Sequence, residues 1–247
     1  MKCKEELNDK GQHYHICCKK GDIGEYVILP GDPFRTDKIA MYLDDPIVVA
    51  HNREHKTWTG KLNGVKVSVT STGMGGPSTA IAVEELISCG AKYLIRIGTC
   101  GRVCEESFKE ELEGIIVTGA IRDEGTTQQY VPLSYPAIPN REIVESLAES
   151  AKDNNYCFAE GIAQSKDAFY GQTSPESLPN GDNLIKNWKA WEMANVMATE
   201  MEASTLFVVA SIRGVKSGCI LAYNSMTDKT IKVTCDAIKK LIEKRKD

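Results

Sequence analysis

The sequence predicts a single α/β domain spanning residues 1–247. Three observations carry that reading. Apolar strand-like runs alternate with helical stretches along nearly the whole chain. Turns rich in Gly and Pro separate them, and no linker, internal repeat or low-complexity tract intervenes. A chain of 247 residues with 42% hydrophobic and 26% charged residues has the balance of a soluble protein with a buried core, not of a disordered one.

The elements follow in order. Glu25–Leu29 reads as a buried strand. Asp32 is a good N-cap and Pro33 suits the first helical position, so a helix is expected from there to about Leu43. Residues 55–72 read as a hairpin turning at Asn63-Gly64. The glycine-rich turn Gly73-Met74-Gly75-Gly76-Pro77-Ser78 leads into a helix from Ser78 to Cys89, closed by Gly90. Strands are expected at Lys92–Ile97, Gly114–Thr118, Tyr156–Gln164 and Cys219–Tyr223. Helices are expected from Asn140 to Lys152, over 182–196 with Trp188, Trp191 and Met193, over 202–213 ending at Gly214, and from Ile231 as a basic tail.

Several function classes fall away. With 30 Lys and Arg against 34 Asp and Glu, the net charge is -4, which argues against a nucleic-acid partner held by phosphate neutralisation. The basic tail (Lys239, Lys240, Lys244, Arg245, Lys246) reads as a solvated helix end favoured by the helix dipole. No apolar run approaches the roughly 18 residues of a membrane helix, and Met1–Glu6 lacks the apolar stretch of a signal peptide, so a cytoplasmic location is expected. The nine Cys include no Cys-x2-Cys pair, and the four His lie away from most of them, so free thiols are expected rather than a zinc site or a thiolate nucleophile. The turn at 73–78 has Ser78 where a dinucleotide fingerprint needs Gly or Ala, and no Walker A pattern exists, so nothing points to NAD or ATP.

Four constellations carry chemistry. Gly31-Asp32-Pro33-Phe34-Arg35 places backbone N–H groups and a cation at a helix start; it is either an anion cradle or an ordinary strand–helix turn. Arg96, inside the apolar run before Gly98-Thr99-Cys100-Gly101, is unusual because a buried Arg needs a partner. It sits near the strand's carboxyl end, where α/β ligands gather, and either holds an oxyanion or makes a structural ion pair; Arg53 is a further candidate cation. Glu200-Met201-Glu202 lies where a strand meets a helix. Its carboxylates suit vicinal ribose hydroxyls or simply the helix dipole. Asp167–Gln172 joins an aromatic platform at Phe169 to the amide of Gln172, which suits a nucleobase edge or a plain aromatic turn.

Together the segments GDIGEYVILPGDPFRTDKIA, HNREHKTW, STGMGGPSTAIAVEEL, LIRIGTCG, SKDAFYGQ and TEMEASTLF resemble the nucleoside phosphorylase family of uridine phosphorylases and hexameric bacterial-type purine nucleoside phosphorylases, and more closely the former. The resemblance implies a mixed, barrel-like central sheet flanked by helices, and homodimers that assemble into a trimer of dimers. It implies phosphate contacts from Gly31, Arg35, Arg96 and Thr99, with Arg53 reaching the same phosphate from the neighbouring subunit. Ribose would be held by Met201 and Glu202, with Glu200 beside them and His15 crossing the interface toward the 5′-hydroxyl. The base would meet Phe169 and Gln172, and Arg96, Glu202 and Gln172 would carry catalysis. Glu54, Met74 (backbone oxygen) and Ser78 match a monovalent-cation site, K+ in kind; no other cofactor is implied beyond inorganic phosphate as co-substrate.

Three departures stand out. Ser174 and Ser225 occupy positions where many uridine phosphorylases carry Arg, and the bacterial-type purine enzymes carry an Asp at the position of Ser225. The stretch Val103–Leu112 is longer and more acidic than usual. The implied activity is phosphorolysis of a ribonucleoside, uridine first, to free base and α-ribose 1-phosphate in nucleoside salvage. The alternatives are a purine nucleoside phosphorylase, a nucleosidase using water, and a catalytically silent nucleoside-binding protein on the same fold. The residues leave the base, ribose against deoxyribose, and dimer against hexamer open.

Overall fold

The computed structural model describes residues 7–104, 112–223 and 225–245. The N-terminal residues 1–6, most of the acidic stretch at 103–112, Asn224 and Lys246 lie outside them. The strands are β1 (Tyr26–Leu29), β2 (Asp44–Asn52), β3 (His55–Leu62), β4 (Val65–Thr70), β5 (Tyr93–Arg102), β6 (Gly114–Asp123), β7 (Phe158–Lys166), β8 (Ala198–Glu200) and β9 (Lys216–Tyr223). The helices are α1 (Pro33–Ala40), α2 (Gly76–Cys89), α3 (Arg141–Asp153), α4 (Phe169–Thr173), α5 (Gly181–Met193), α6 (Ala203–Arg213) and α7 (Asp228–Lys244).

The nine strands among the described residues form one mixed sheet in the order β2-β3-β4-β1-β5-β8-β7-β6-β9, and β9 also pairs with β5. That last pairing closes a five-stranded ring. Around it, β5–β8 and β6–β9 are antiparallel, while β8–β7, β7–β6 and β9–β5 are parallel. The expected α/β class and the barrel-like mixed sheet are both present.

Two apolar cores lie on opposite faces of the sheet. One packs Val83 and Leu86 of α2 with Leu206 and Phe207 of α6 against Val27, Leu29 and Leu94. The other packs Ile143 and Leu147 of α3 with Ile238 and Leu241 of α7 against Ile28, Ile95 and Ile97. Strand alternation puts Arg96 on the same face as Leu94, under α2 and α6.

Local chemistry sets the element ends. The Asp32 carboxylate accepts from the Phe34 N–H at 2.9 Å and starts α1. Gly90 and Gly214 close α2 and α6 with φ of 112° and 73°, conformations that favour glycine. The helix expected to reach Leu43 stops at Ala40, because the N–H groups of Tyr42 and Leu43 turn tightly onto the carbonyls of Ile39 and Ala40.

Other boundaries shift. α2 starts two residues before Ser78, at Gly76, and the strand expected from Cys219 starts at Lys216. β5 runs past Ile97 to Arg102, because β9 and β8 hydrogen-bond the glycine-bearing stretch that reads as a turn in the sequence. Two elements, β2 and α4, escape the sequence reading, and the strand it places before Glu200 is the short β8. β2 is an edge strand with most side chains exposed, so it lacks inward–outward alternation. β8 and α4, at 3 and 5 residues, are too short to show a period. Eight cysteines fall within the described residues, and none of these forms a disulfide.

Ring closure gives a direct test. A Cβ on Gly114 of β6 would overlap the Leu221 carbonyl of β9, whereas one on Gly119 would come no nearer than 4.0 Å to Ala137 O. Gly114→Ala is expected to destabilise the fold by about 1–3 kcal/mol, in the range of overpacking. Gly119→Ala should stay near the wild type. Thermal unfolding of both variants measures the difference.

Candidate functional site

The centre of the site is Arg96. Its strand neighbours are apolar, and the side chain is 4% exposed. Burial alone would draw the guanidinium's pKa down; Glu202 and then Glu200 outweigh it and hold the group above its ordinary range, fully charged. Nε donates to Glu200 Oε2 at 2.9 Å, and Nη2 meets Glu202 Oε2 at 2.5 Å. Gly98 makes room for it: a Cβ there would come within 2.8 Å of Nη2. Nη1 is buried and has no hydrogen-bond partner.

Two helix starts converge on the carboxylates. Glu200 ends β8, and its carboxylate accepts from the backbone N–H groups of Glu202 (2.8 Å) and Ala203 (2.9 Å), the N-cap and first residue of α6. It also accepts from the Ser165 hydroxyl. The sequence left open whether such a carboxylate serves the helix dipole, and Glu200 does so. Glu202 Oε1 accepts from the Gly75 N–H at 2.5 Å, at the start of α2. Burial pushes the Glu202 carboxyl above the usual range while Arg96 pulls it back. Arg96 therefore makes structural ion pairs and keeps one nitrogen, Nη1, unspent.

The other residues expected at the site follow β1 or lie at the ends of β5 and β8. Gly31 follows β1, and its carbonyl accepts from the Gly73 N–H at 2.9 Å, which ties the α1 turn to the turn before α2. Arg35 lies in the first turn of α1, partly exposed, with no ion-pair partner among the described residues. Thr99 is partly exposed near the carboxyl end of β5. Met201 is half-buried between Glu200 and Glu202.

Arg53 and His15 sit together in a second cluster. Arg53 occupies the β2–β3 turn in a left-handed conformation, φ 52°, which is uncommon for a side chain of this size. It is exposed and lies over the Tyr14 ring at 5.7 Å. The neighbouring Asn52 amide donates to the His15 carbonyl at 2.8 Å, and His15 Nδ1 lies 2.6 Å from Glu85 Oε1. Glu54 follows Arg53 in the same turn. Its own backbone N–H and then the Ser78 hydroxyl, at 2.8 Å, hold its carboxyl below the usual range. The Thr72 carbonyl shares the single proton of the Ser78 hydroxyl with Glu54, and Met74 is exposed nearby in sequence.

On the other side of β8 lies a cavity of about 480 Å3 lined by Gln164, Lys166, Gln172, Leu184 and Trp188 among others. Phe169 is half-exposed and meets Tyr170 edge to face at 5.5 Å. Thr199 links the two regions: its hydroxyl donates to Gln164 Oε1 at 2.8 Å, and a Cβ on Gly101 would touch its methyl group at 3.2 Å. Sequence reasoning gave no role to Thr199, Gln164 or Lys166. The available signal was a Lys at the end of a strand, directly before the aromatic turn at Asp167–Gln172. The positions of Ser174 and Ser225 carry no cation, as the sequence states.

Residues 25–244 match the family model described as the phosphorylase superfamily. The chain belongs to that superfamily. It is 48% identical over 208 residues to a uridine phosphorylase of Treponema pallidum, covering 84% of this chain and 80% of that one. A uridine phosphorylase of Thermococcus kodakarensis is 43% identical over 219 residues, 87% of this chain and 77% of that one. A guanosine phosphorylase of Halorubrum lacusprofundi is 36% identical over 233 residues, 94% and 91% respectively. No helix among the described residues is long and apolar enough to cross a membrane.

The buried cluster rests on Glu200 as much as on Arg96. Glu200→Ala would strip Arg96 Nε of its partner and leave two helix N–H groups unpaired. A loss of about 3–5 kcal/mol is expected, the cost of breaking a buried pair. Chemical denaturation of the variant measures it, and a loss below about 1 kcal/mol, as for an exposed pair, would contradict the geometry.

Proposed function

We propose that residues 1–247 work as one domain that cleaves uridine with inorganic phosphate, releasing uracil and α-ribose 1-phosphate. The observation that carries the reading is Arg96: a buried, permanently charged guanidinium with one nitrogen left unpartnered at the starts of two helices. Such a donor calls for an oxyanion. The likeness to two uridine phosphorylases supports uridine as the nucleoside.

In this reading Gly31, Arg35, Arg96 and Thr99 hold phosphate, joined by Arg53 of the adjoining subunit. Met201 and Glu202 hold the ribose with Glu200 behind them, and His15 of the adjoining subunit reaches its 5′-hydroxyl. Phe169 and Gln172 hold the base. The pairing of His15 with Arg53 in one exposed cluster favours a shared interface. Self-association into a homodimer, or a trimer of dimers, is further supported by exposed apolar side chains at Phe34, Met41, Ile47 and Val48. The oxygens of Glu54, Ser78 and the Met74 backbone are hard donors suited to K+, which would brace the Arg53 turn. The acidic balance, and the lack of a long apolar helix among the described residues, fit a cytoplasmic salvage enzyme acting on a small nucleoside, with no nucleic acid or membrane partner.

The chemistry follows from charge. A phosphate oxygen forms the new bond to C1′ as the N1–C1′ pair of electrons leaves with the base. The ribosyl group is oxocarbenium-like between the two, as in glycoside cleavage. The phosphate dianion stabilises that cation, and the arginines fix the dianion in place. The proton of hydrogen phosphate balances the uracil anion. Gln172 donates to the departing base, and catalysis uses positioning rather than a covalent intermediate.

Guanosine phosphorylase activity is a second reading, favoured by the Halorubrum relative. Base release from uridine, guanosine, inosine and adenosine, each with and without phosphate, separates the two. Phosphate-dependent uracil release is expected, falling about 10²–10³-fold in Arg96→Ala, the loss typical of a missing oxyanion donor. Release of purine alone would transfer the activity to the second reading, and release without phosphate would make the protein a nucleosidase.

A further inference from the structure

We propose that Lys166 is the cation that binds a carbonyl oxygen of the departing base, and so makes the site selective for carbonyl-bearing bases. The proposal rests on the nucleoside phosphorylase reading and names the group that stabilises its leaving base.

The geometry is specific. Lys166 closes β7 and is 7% exposed, although its ammonium has no carboxylate within ion-pair distance among the described residues. Nζ donates to Thr199 Oγ1 at 2.6 Å. That hydroxyl gives its own proton to Gln164 Oε1, so it accepts from Lys166 and fixes the direction of the ammonium. An ammonium has three donors and no acceptor. One is spent on Thr199, and the group lines the same cavity as Gln172, 6.0 Å from the centre of the Phe169 ring.

A buried cation held this way is costly unless a ligand completes it. Burial does draw the pKa of Lys166 downward, against the upward pull of Glu200, Glu202 and Asp123. Those carboxylates keep a positive charge tolerable, but Arg96 lies between two of them and takes their direct contacts. The ammonium is left for a neutral acceptor that becomes negative during reaction. A base carbonyl is such an acceptor. As the N1–C1′ bond breaks, its electron pair spreads from N1 onto the ring carbonyls. Lys166 keeps its proton and meets that charge by hydrogen bonding. Ser174 and Ser225 offer no charge to the base, and Lys166 fills that role from the end of β7. The placement also selects, because a donor-only group rewards a carbonyl and gains nothing from an exocyclic amine.

The test compares Lys166→Met and Lys166→Arg with the wild type on uridine and 5-fluorouridine. Fluorine makes the departing base a weaker base that needs less stabilisation. Lys166→Met is expected to lose about 10²–10³-fold in kcat/KM on uridine, with a smaller loss on 5-fluorouridine and partial recovery in Lys166→Arg. Ribose 1-phosphate binding should stay at the wild-type level, since that ligand does not reach the base cavity. Equal losses on both nucleosides, or unchanged turnover, would overturn the assignment.

Binding of uracil and of hypoxanthine, in the presence of phosphate, is measured separately by calorimetry. If the wild type leaves uridine intact, the uridine reading fails. Lys166 then stands on weaker binding, in the Met variant, of whichever carbonyl base the wild type holds, and falls if that binding is unchanged or if neither base binds. Should Lys166→Met not fold, Lys166→Gln, which removes the charge and keeps a donor, carries the same comparison.

Discussion

The Arg96 guanidinium, buried between Glu200 and Glu202, is the interaction on which the site depends. Each partner solves another's problem. A lone buried Arg would be expensive, as would two buried carboxylates. Together they leave one negative charge in excess, which the N-termini of α2 and α6 absorb through the Gly75, Glu202 and Ala203 N–H groups. The lattice therefore joins β5, β8 and two helices at one point. It needs Gly98 beneath the guanidinium and a backbone turn at Gly75, where φ is 85°. Because all of it forms on folding, no reorganisation remains when a ligand arrives, the condition for preorganised electrostatics.

Most of the architecture was legible in the sequence because the chain follows local rules. Asp32, Gly90 and Gly214 end their helices as turn and cap chemistry requires, and the Asn63-Gly64 hairpin forms between β3 and β4. The ring closure was not legible from periodicity; it came from the resemblance, since pairing of β9 with β5 is a long-range event. β2 stayed hidden for a related reason. An edge strand that exposes Ile47 and Val48 shows none of the alternation that marks a half-buried strand.

The site divides the same way. Arg96 announced itself as a charge inside an apolar strand, and Glu200 and Glu202 as a pair at a strand–helix junction. What single residues could not reveal was their mutual contact, so the oxyanion and ion-pair readings stood as rivals. In the structure they are compatible, because a guanidinium has enough donors for both. Lys166 escaped notice because Asp167–Gln172 drew attention to the aromatic turn after it. Only folding places its ammonium beside Thr199 and Gln172.

The most direct test is a crystal structure of the protein with inorganic phosphate alone. The account predicts a phosphate oxygen within hydrogen-bond distance of Arg96 Nη1, with Nε and Nη2 still bound to Glu200 and Glu202. Phosphate bound elsewhere with Nη1 still unpartnered, or bound only after Arg96 abandons its carboxylates, would contradict it.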